Sequence, residues 1–173
     1  MQMDITKLYD VKQLGYFENI EYEFSKNFVK YIKNYNQIDQ NIGITIALLV
    51  SSNDHTLAFP MISKLTTHNK MCVLKEIVRK KFYNSNPNMV RDYDEWLDKA
   101  SKSKTERNQY IHGYWQLAGC LTEKPIIFSP INWDIGKINC KNQNFSLEEF
   151  TSIADELENI SLEFGDLRRR YPF

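Results

Sequence analysis

FSLEEFTSIADELENISLEFGDL, residues 145–167, is the strongest local signal in the chain. Leu147, Phe150, Ile153, Leu157, Ile160, Phe164 and Leu167 recur at three- and four-residue steps, which on a helix form one continuous apolar face. Ser146 and Glu149 have the spacing of a capping box, where hydroxyl and carboxylate each accept from the other's otherwise free backbone N–H. Phe145 and Phe150 make the hydrophobic staple around it. Leu147–Leu167 is therefore expected to be a helix with a sharply marked start.

Other helices follow by the same rule. Phe17, Ile20, Phe24, Phe28, Tyr31 and Tyr35 keep helical spacing and predict a helix over Gln13–Tyr35. Met71, Leu74, Val78 and Phe82 predict another over Asn69–Tyr83, and Val90, Tyr93, Trp96, Leu97 and Ala100 a third over Met89–Ala100. The basic run Lys75, Arg79, Lys80 and Lys81 reads as a solvated face. IGITIALLV, 42–50, alternates like a strand and is also nearly continuous apolar, as a buried helix would be; helix is preferred. Pro60 either kinks the next helical segment or sits in its first turn. SKSKTE, 101–106, has the composition to break a helix and start another, with Ser103 and Glu106 as a second capping box. After Gly113 the character changes. YWQLAG, PIIFSPI and IGKINC, with Pro125, Pro130 and Gly136, read as short strands or extended loops between Tyr114 and Asn144. The expected fold is mainly α, a helical bundle with a small β-hairpin or extended insertion between its last two helices, in one domain spanning 1–173.

Composition agrees. The chain has 173 residues, 42% hydrophobic, 13% aromatic and 25% charged, enough apolar area for a sizeable core. Lysine and arginine number 22 against 22 acidic residues, so any nucleic-acid contact must come from a local patch. The three cysteines, Cys72, Cys120 and Cys140, show neither disulfide-framework nor zinc spacing. No apolar run has membrane-spanning length. MQMDITKLYD lacks a basic region followed by an apolar stretch, and the expected location is cytoplasmic, with reduced thiols.

Chemistry-bearing motifs are few. There is no GxGxxG, P-loop, GxSxG or HExxH. His55 and His68 lie in polar stretches and read as surface or capping residues. Asp92 and Asp94 stand two apart, so on a helix they point to different sides and read as solvated rather than as metal ligands.

TERNQYIHGYW, 105–115, is different, because Arg107 shares the helical face of Tyr110 and Ile111. One account is structural: Arg107 reaches a carboxylate such as Glu106 or a glutamate of the last helix, and His112 caps a helix end near Gly113. The other is a resemblance. Arg107-x4-His112-x-Tyr114 resembles the R-x4-6-H motif of HEPN domains, and Asn108 is the polar residue many of those motifs carry after the arginine. The match is concentrated in 103–115, and the insertion at 114–145 is an elaboration the minimal family bundle lacks.

The resemblance implies a metal-independent endoribonuclease with no cofactor. RNA would supply the 2′-hydroxyl as nucleophile, Arg107 would stabilise the phosphate, and His112 would serve as general acid or base, leaving a 2′,3′-cyclic phosphate. Asn108 would orient the phosphate or the histidine. Residues five apart on a helix diverge by about 140°, so either Gly113 loosens the helix end or two chains share a cleft. HEPN domains dimerise with their motifs facing, which implies a homodimer. In HEPN toxins paired with a nucleotidyltransferase antitoxin, the motif tyrosine is adenylylated; that implies Tyr114 as a regulatory site and a toxin–antitoxin or phage-defence role. Alternatively Tyr114 is a half-buried aromatic beginning a strand. A competing class keeps the bundle as a non-catalytic interaction or regulatory module, with Arg107 and His112 structural or bound to a nucleotide.

Overall fold

The computed structural model describes residues 11–51, 54–131 and 141–172. Their order is α1 Val11–Val50, a 3-10 turn His55–Ala58, α2 Phe59–Ile62, α3 Thr67–Phe82, α4 Pro87–His112, β1 Tyr114–Leu117, β2 Ile126–Ser129, β3 Gln143–Phe145 and α5 Leu147–Arg170. The protein is mainly helical, with a small antiparallel sheet inserted between α4 and α5. It divides into two compact units, one of Met1–Tyr31 with Gln109–Asp155 and one of Ile32–Asn108 with Glu156–Phe173.

The first unit holds the sheet, in the order β1-β2-β3. The register pairs Trp115 with Phe128, Leu117 with Ile126, and Ile126 with Phe145, so alternate residues supply one apolar face. That face packs with Ile20, Phe24, Phe28 and Phe150. Ring centroids of Trp115 and Phe128 are 4.5 Å apart, and those of Phe24 and Phe150 4.8 Å. The indole N–H of Trp115 donates to the Tyr110 carbonyl at 2.8 Å, satisfying its polar handle inside the cluster. The third strand forms at Gln143–Phe145, while the expected strand IGKINC lies outside the described residues. The capping box is present: Ser146 N–H donates to Glu149 at 2.8 Å and Glu149 N–H to the Ser146 hydroxyl at 3.1 Å.

The second unit is a helical bundle. Tyr35, Ile38, Ile42, Ile46 and Leu49 are buried along α1, steps of three and four that settle IGITIALLV as helix. A strand would have placed Ile42, Ile44 and Ile46 on one face; instead Ile44 is exposed. Trp96 stacks on Phe164 with centroids 4.2 Å apart and donates its N–H to the Ile160 carbonyl at 2.9 Å.

Several local expectations are corrected. α1 continues from Tyr35 to Val50, and α4 does not break at SKSKTE. Ser103 is buried and its hydroxyl donates to the Lys99 carbonyl at 3.3 Å, so it is a mid-helix residue bonded one turn back and not a cap. Pro60 sits in the first turn of α2, where its missing N–H costs nothing. The basic run is not simply solvated: Arg79 pairs with Asp94 at 2.7 Å, Lys75 lies 3.6 Å from the same residue, and Lys81 donates to the Leu49 carbonyl. Asp92 and Asp94 do point to different partners, but both are engaged. Burial pushes the Asp92 carboxyl up, and hydrogen bonds from Tyr171, Arg91 and Arg170 outweigh it and hold the group below the ordinary carboxylate range.

Candidate functional site

Within the second unit, α1, α3 and α4 border a cleft of about 360 Å³. Its α4 wall is made by Lys104, Arg107 and Asn108. A spacing of three places Lys104 and Arg107 on one side of the helix. The Arg107 guanidinium lies over the Tyr35 ring, 5.1 Å from its centroid, and donates to the Asn108 side-chain oxygen at 3.1 Å. Its Nε is buried and has no hydrogen-bond partner among the described residues. Arg107 makes no ion pair among them either, so the expected link to Glu106 or to a glutamate of α5 is absent there.

The α1 wall is Tyr35, Asn36 and Asp39. Tyr35 is 4% exposed. Burial raises its hydroxyl above the ordinary phenol range, against the lowering effect of a hydrogen bond with Thr67 and of the Arg107 charge. It is therefore a neutral phenol at physiological pH. One Asp39 oxygen accepts from the Lys70 ammonium at 2.7 Å, and the other is buried with no partner among the described residues.

Thr66, Thr67 and His68 close the cleft at the start of α3. Thr66 is the N-cap, its hydroxyl accepting from the Asn69 N–H at 3.2 Å. That cap fixes where the helix begins and so where His68 projects. His68 Nδ1 lies 3.4 Å from the Lys104 ammonium and Nε2 lies 3.8 Å from the Cys72 sulfur. An ammonium has only donors, so Nδ1 is the acceptor in this contact.

Of the residues singled out from sequence, Arg107 and Asn108 line this cleft together; His112 and Tyr114 are not among its lining residues and belong to the first unit. His112 is the last residue of α4 and is exposed. Tyr114 opens β1 opposite Ser129 and is 62% exposed, not half-buried. His68, read as a plain surface residue, is exposed but forms part of the cleft wall. Lys104 and Asp39 drew no attention in the sequence, and Tyr35 was read there only as part of an apolar helical face. The signals for them were helical spacing: Lys104 stands three before Arg107, and Asp39 four after Tyr35.

Among the described residues no group of three or more His, Cys, Asp or Glu side chains gathers as metal ligands would. No helix among them is long and apolar enough to cross a membrane. No protein-family model, curated protein or solved structure matches the chain.

Proposed function

We propose that this protein is a metal-independent endoribonuclease of the HEPN type. The observation that carries the reading is Arg107: a guanidinium seated on an aromatic ring in a polar cleft, with no carboxylate partner among the described residues. A donor held ready in this way suits a phosphate oxygen whose negative charge grows in the transition state. Asn108 beside it steadies the guanidinium through its side-chain oxygen. His112 moves the proton, and the 2′-hydroxyl of RNA is the nucleophile.

α4 is unbroken from Pro87 to His112, so the regular helical turn separates the two side-chain directions by about 140°. That favours the two-chain version of the reading, in which the exposed His112 of one protomer serves the arginine of another. A homodimer is the expected assembly, and light scattering at tens of micromolar should return twice the chain mass; a monomer there would count against a shared site. The exposed phenol of Tyr114 suits adenylylation by a nucleotidyltransferase-type antitoxin, which makes a toxin of a toxin–antitoxin or phage-defence system the biological setting proposed.

The direct test is cleavage of a labelled oligoribonucleotide by the purified protein, alone and with its genomic neighbour. RNA should be cut to 2′,3′-cyclic phosphate ends at the same rate with EDTA present. An all-DNA strand of the same sequence, lacking the attacking hydroxyl, should stay intact. If no RNA is cut under any of these conditions, the non-catalytic interaction module is the better account.

A further inference from the structure

We infer that the free edge of β1 in the first unit, with the groove it shares with α1, docks an extended segment of another protein. That segment has apolar side chains at alternate positions and carries a lysine or arginine. None of the residues involved lines the Arg107 cleft, so this does not rest on the ribonuclease reading.

The backbone of β1 is half used. It has β2 on one side and no strand on the other among the described residues. In an antiparallel ladder, hydrogen-bonded and non-bonded pairs alternate. The Ala118 N–H donates to the Pro125 carbonyl at 2.7 Å, so by the register Gln116 bonds with Ile127 and Tyr114 with Ser129. Trp115 opposite Phe128 and Leu117 opposite Ile126 are then the non-bonded pairs. Their N–H and C=O groups point away from β2, with no backbone partner among the described residues. Exposed edges are commonly guarded by charge, proline or a bulge. YWQL carries no charge or proline and pairs without a bulge.

Side chains add a groove in the same place. About 320 Å³ lies between β1 and α1, lined by Trp115, Gln116 and Leu117 from the strand and Glu21, Phe24 and Ser25 from the helix. The residues with free backbone groups are thus those whose apolar side chains line the groove. A strand added antiparallel to β1 sets its own residues opposite Trp115 and Leu117, with side chains on that same face. The groove is already formed: the Trp115 indole donates to the Tyr110 carbonyl at 2.8 Å, and its ring centroid lies 5.1 Å from that of Phe24. Little ordering is left for binding to supply. Main-chain bonds along an edge, with a groove for alternate side chains, are how sheet edges take up extended peptides.

Charge selects the occupant. Glu21 is exposed and is the one charged residue of the lining. The nearest base along α1, Lys26, pairs with Glu23 at 3.2 Å. A second copy of this chain would bring two such grooves together about a two-fold axis, and neither lining holds a base to offset the other's carboxylate. A separate segment with lysine or arginine meets Glu21 with the opposite charge.

Amide NMR titration of the full chain tests this with three acetylated and amidated heptapeptides. The first alternates valine and threonine between two terminal lysines, the second has glutamates in place of the lysines, and the third is the first with its peptide nitrogens methylated. The lysine peptide should saturate at millimolar concentration or below and shift the Trp115 and Leu117 amides most. It should bind at least fivefold more tightly than either of the others. Leu117→Pro removes an N–H that faces away from β2 and should abolish binding. Glu21→Lys, an exposed change, should reverse the preference between lysine and glutamate peptides, and it decides the matter should the proline variant fail to fold. No binding of the lysine peptide, equal binding of the glutamate or methylated peptide, or an unchanged preference in Glu21→Lys would overturn the inference. Light scattering in which the lysine peptide converts a dimer to monomers would assign the edge to a second copy and overturn it as well. RNA cleavage without peptide binding, or the reverse, separates this inference from the ribonuclease reading.

Discussion

If the protein is the ribonuclease proposed, Arg107→Ala and His112→Ala should each abolish RNA cleavage, or the growth arrest it would cause, while the circular dichroism spectrum stays that of the wild type. The two losses have different causes. Removing the guanidinium takes away charge stabilisation of the attacked phosphate, and a single such donor is worth about 10²–10³ in rate. Removing the imidazole takes away a positioned proton carrier, worth about 10²–10⁴. Neither group can do the other's work, so each single variant falls near background and the double variant is little worse. The folding cost should be small. His112 is exposed at the end of α4, and Arg107 forfeits its stacking on the buried Tyr35, about 1–2 kcal/mol for a partly desolvated pair. If both variants cleave and arrest growth as wild type does, the interaction-module account prevails. If either unfolds the protein, the structural account of TERNQYIHGYW is the right one.

Gly113→Ala destabilises the first unit strongly, although glycine here adopts no left-handed backbone. The requirement is space. A Cβ at this position would lie 2.0 Å from Phe128 Cε2, 2.5 Å from Cζ and 3.0 Å from the Gln109 carbonyl oxygen. Phe128 has no room to retreat, because it is fully buried, paired in register with Trp115 and packed against Tyr110 at 5.3 Å. Overpacking of this kind costs about 1–3 kcal/mol, sometimes more. Replacing glycine restricts the unfolded chain and returns only about 0.4–1 kcal/mol. The net loss should lower Tm by several degrees, at about 2–4 °C per kcal/mol for a chain of this size. Urea or thermal unfolding reads it directly; a variant as stable as the wild type would mean that Phe128 sits elsewhere in solution.

Gly113 shows how far local reasoning reaches. As sequence it marks the end of a helical pattern, and α4 does end one residue before it. That the position must be glycine follows from a ring 15 residues further along, across a strand pairing.

The same division runs through the molecule. Signals acting within four residues were sufficient by themselves: the Ser146–Glu149 box that starts α5, the apolar spacing along α1 and α3, and the Pro- and Gly-rich change of character at the sheet. Such features are legible because side chain and backbone partner lie within one turn of each other. Residues 42–50 were not, since a run of nearly continuous apolar residues fits either period. Burial of Ile42 and Ile46 with Ile44 exposed is decided by what packs around them. SKSKTE looked like a break because serine competes for backbone groups, and it remains helical because the Ser103 hydroxyl is satisfied by the carbonyl of Lys99. The candidate site divides in the same way. Arg107 and Asn108 stand out as a motif, but Tyr35, Asp39, His68 and Lys104 join Arg107 only when α1, α3 and α4 pack side by side. Sequence alone marked the cores of α1, α3, α4 and α5, though not how far α1 and α4 run, and which residues are chemically conspicuous. Only the tertiary structure decided which of them share a cleft, because contacts between residues dozens of positions apart are set by the packing of whole helical faces and leave no mark in local spacing.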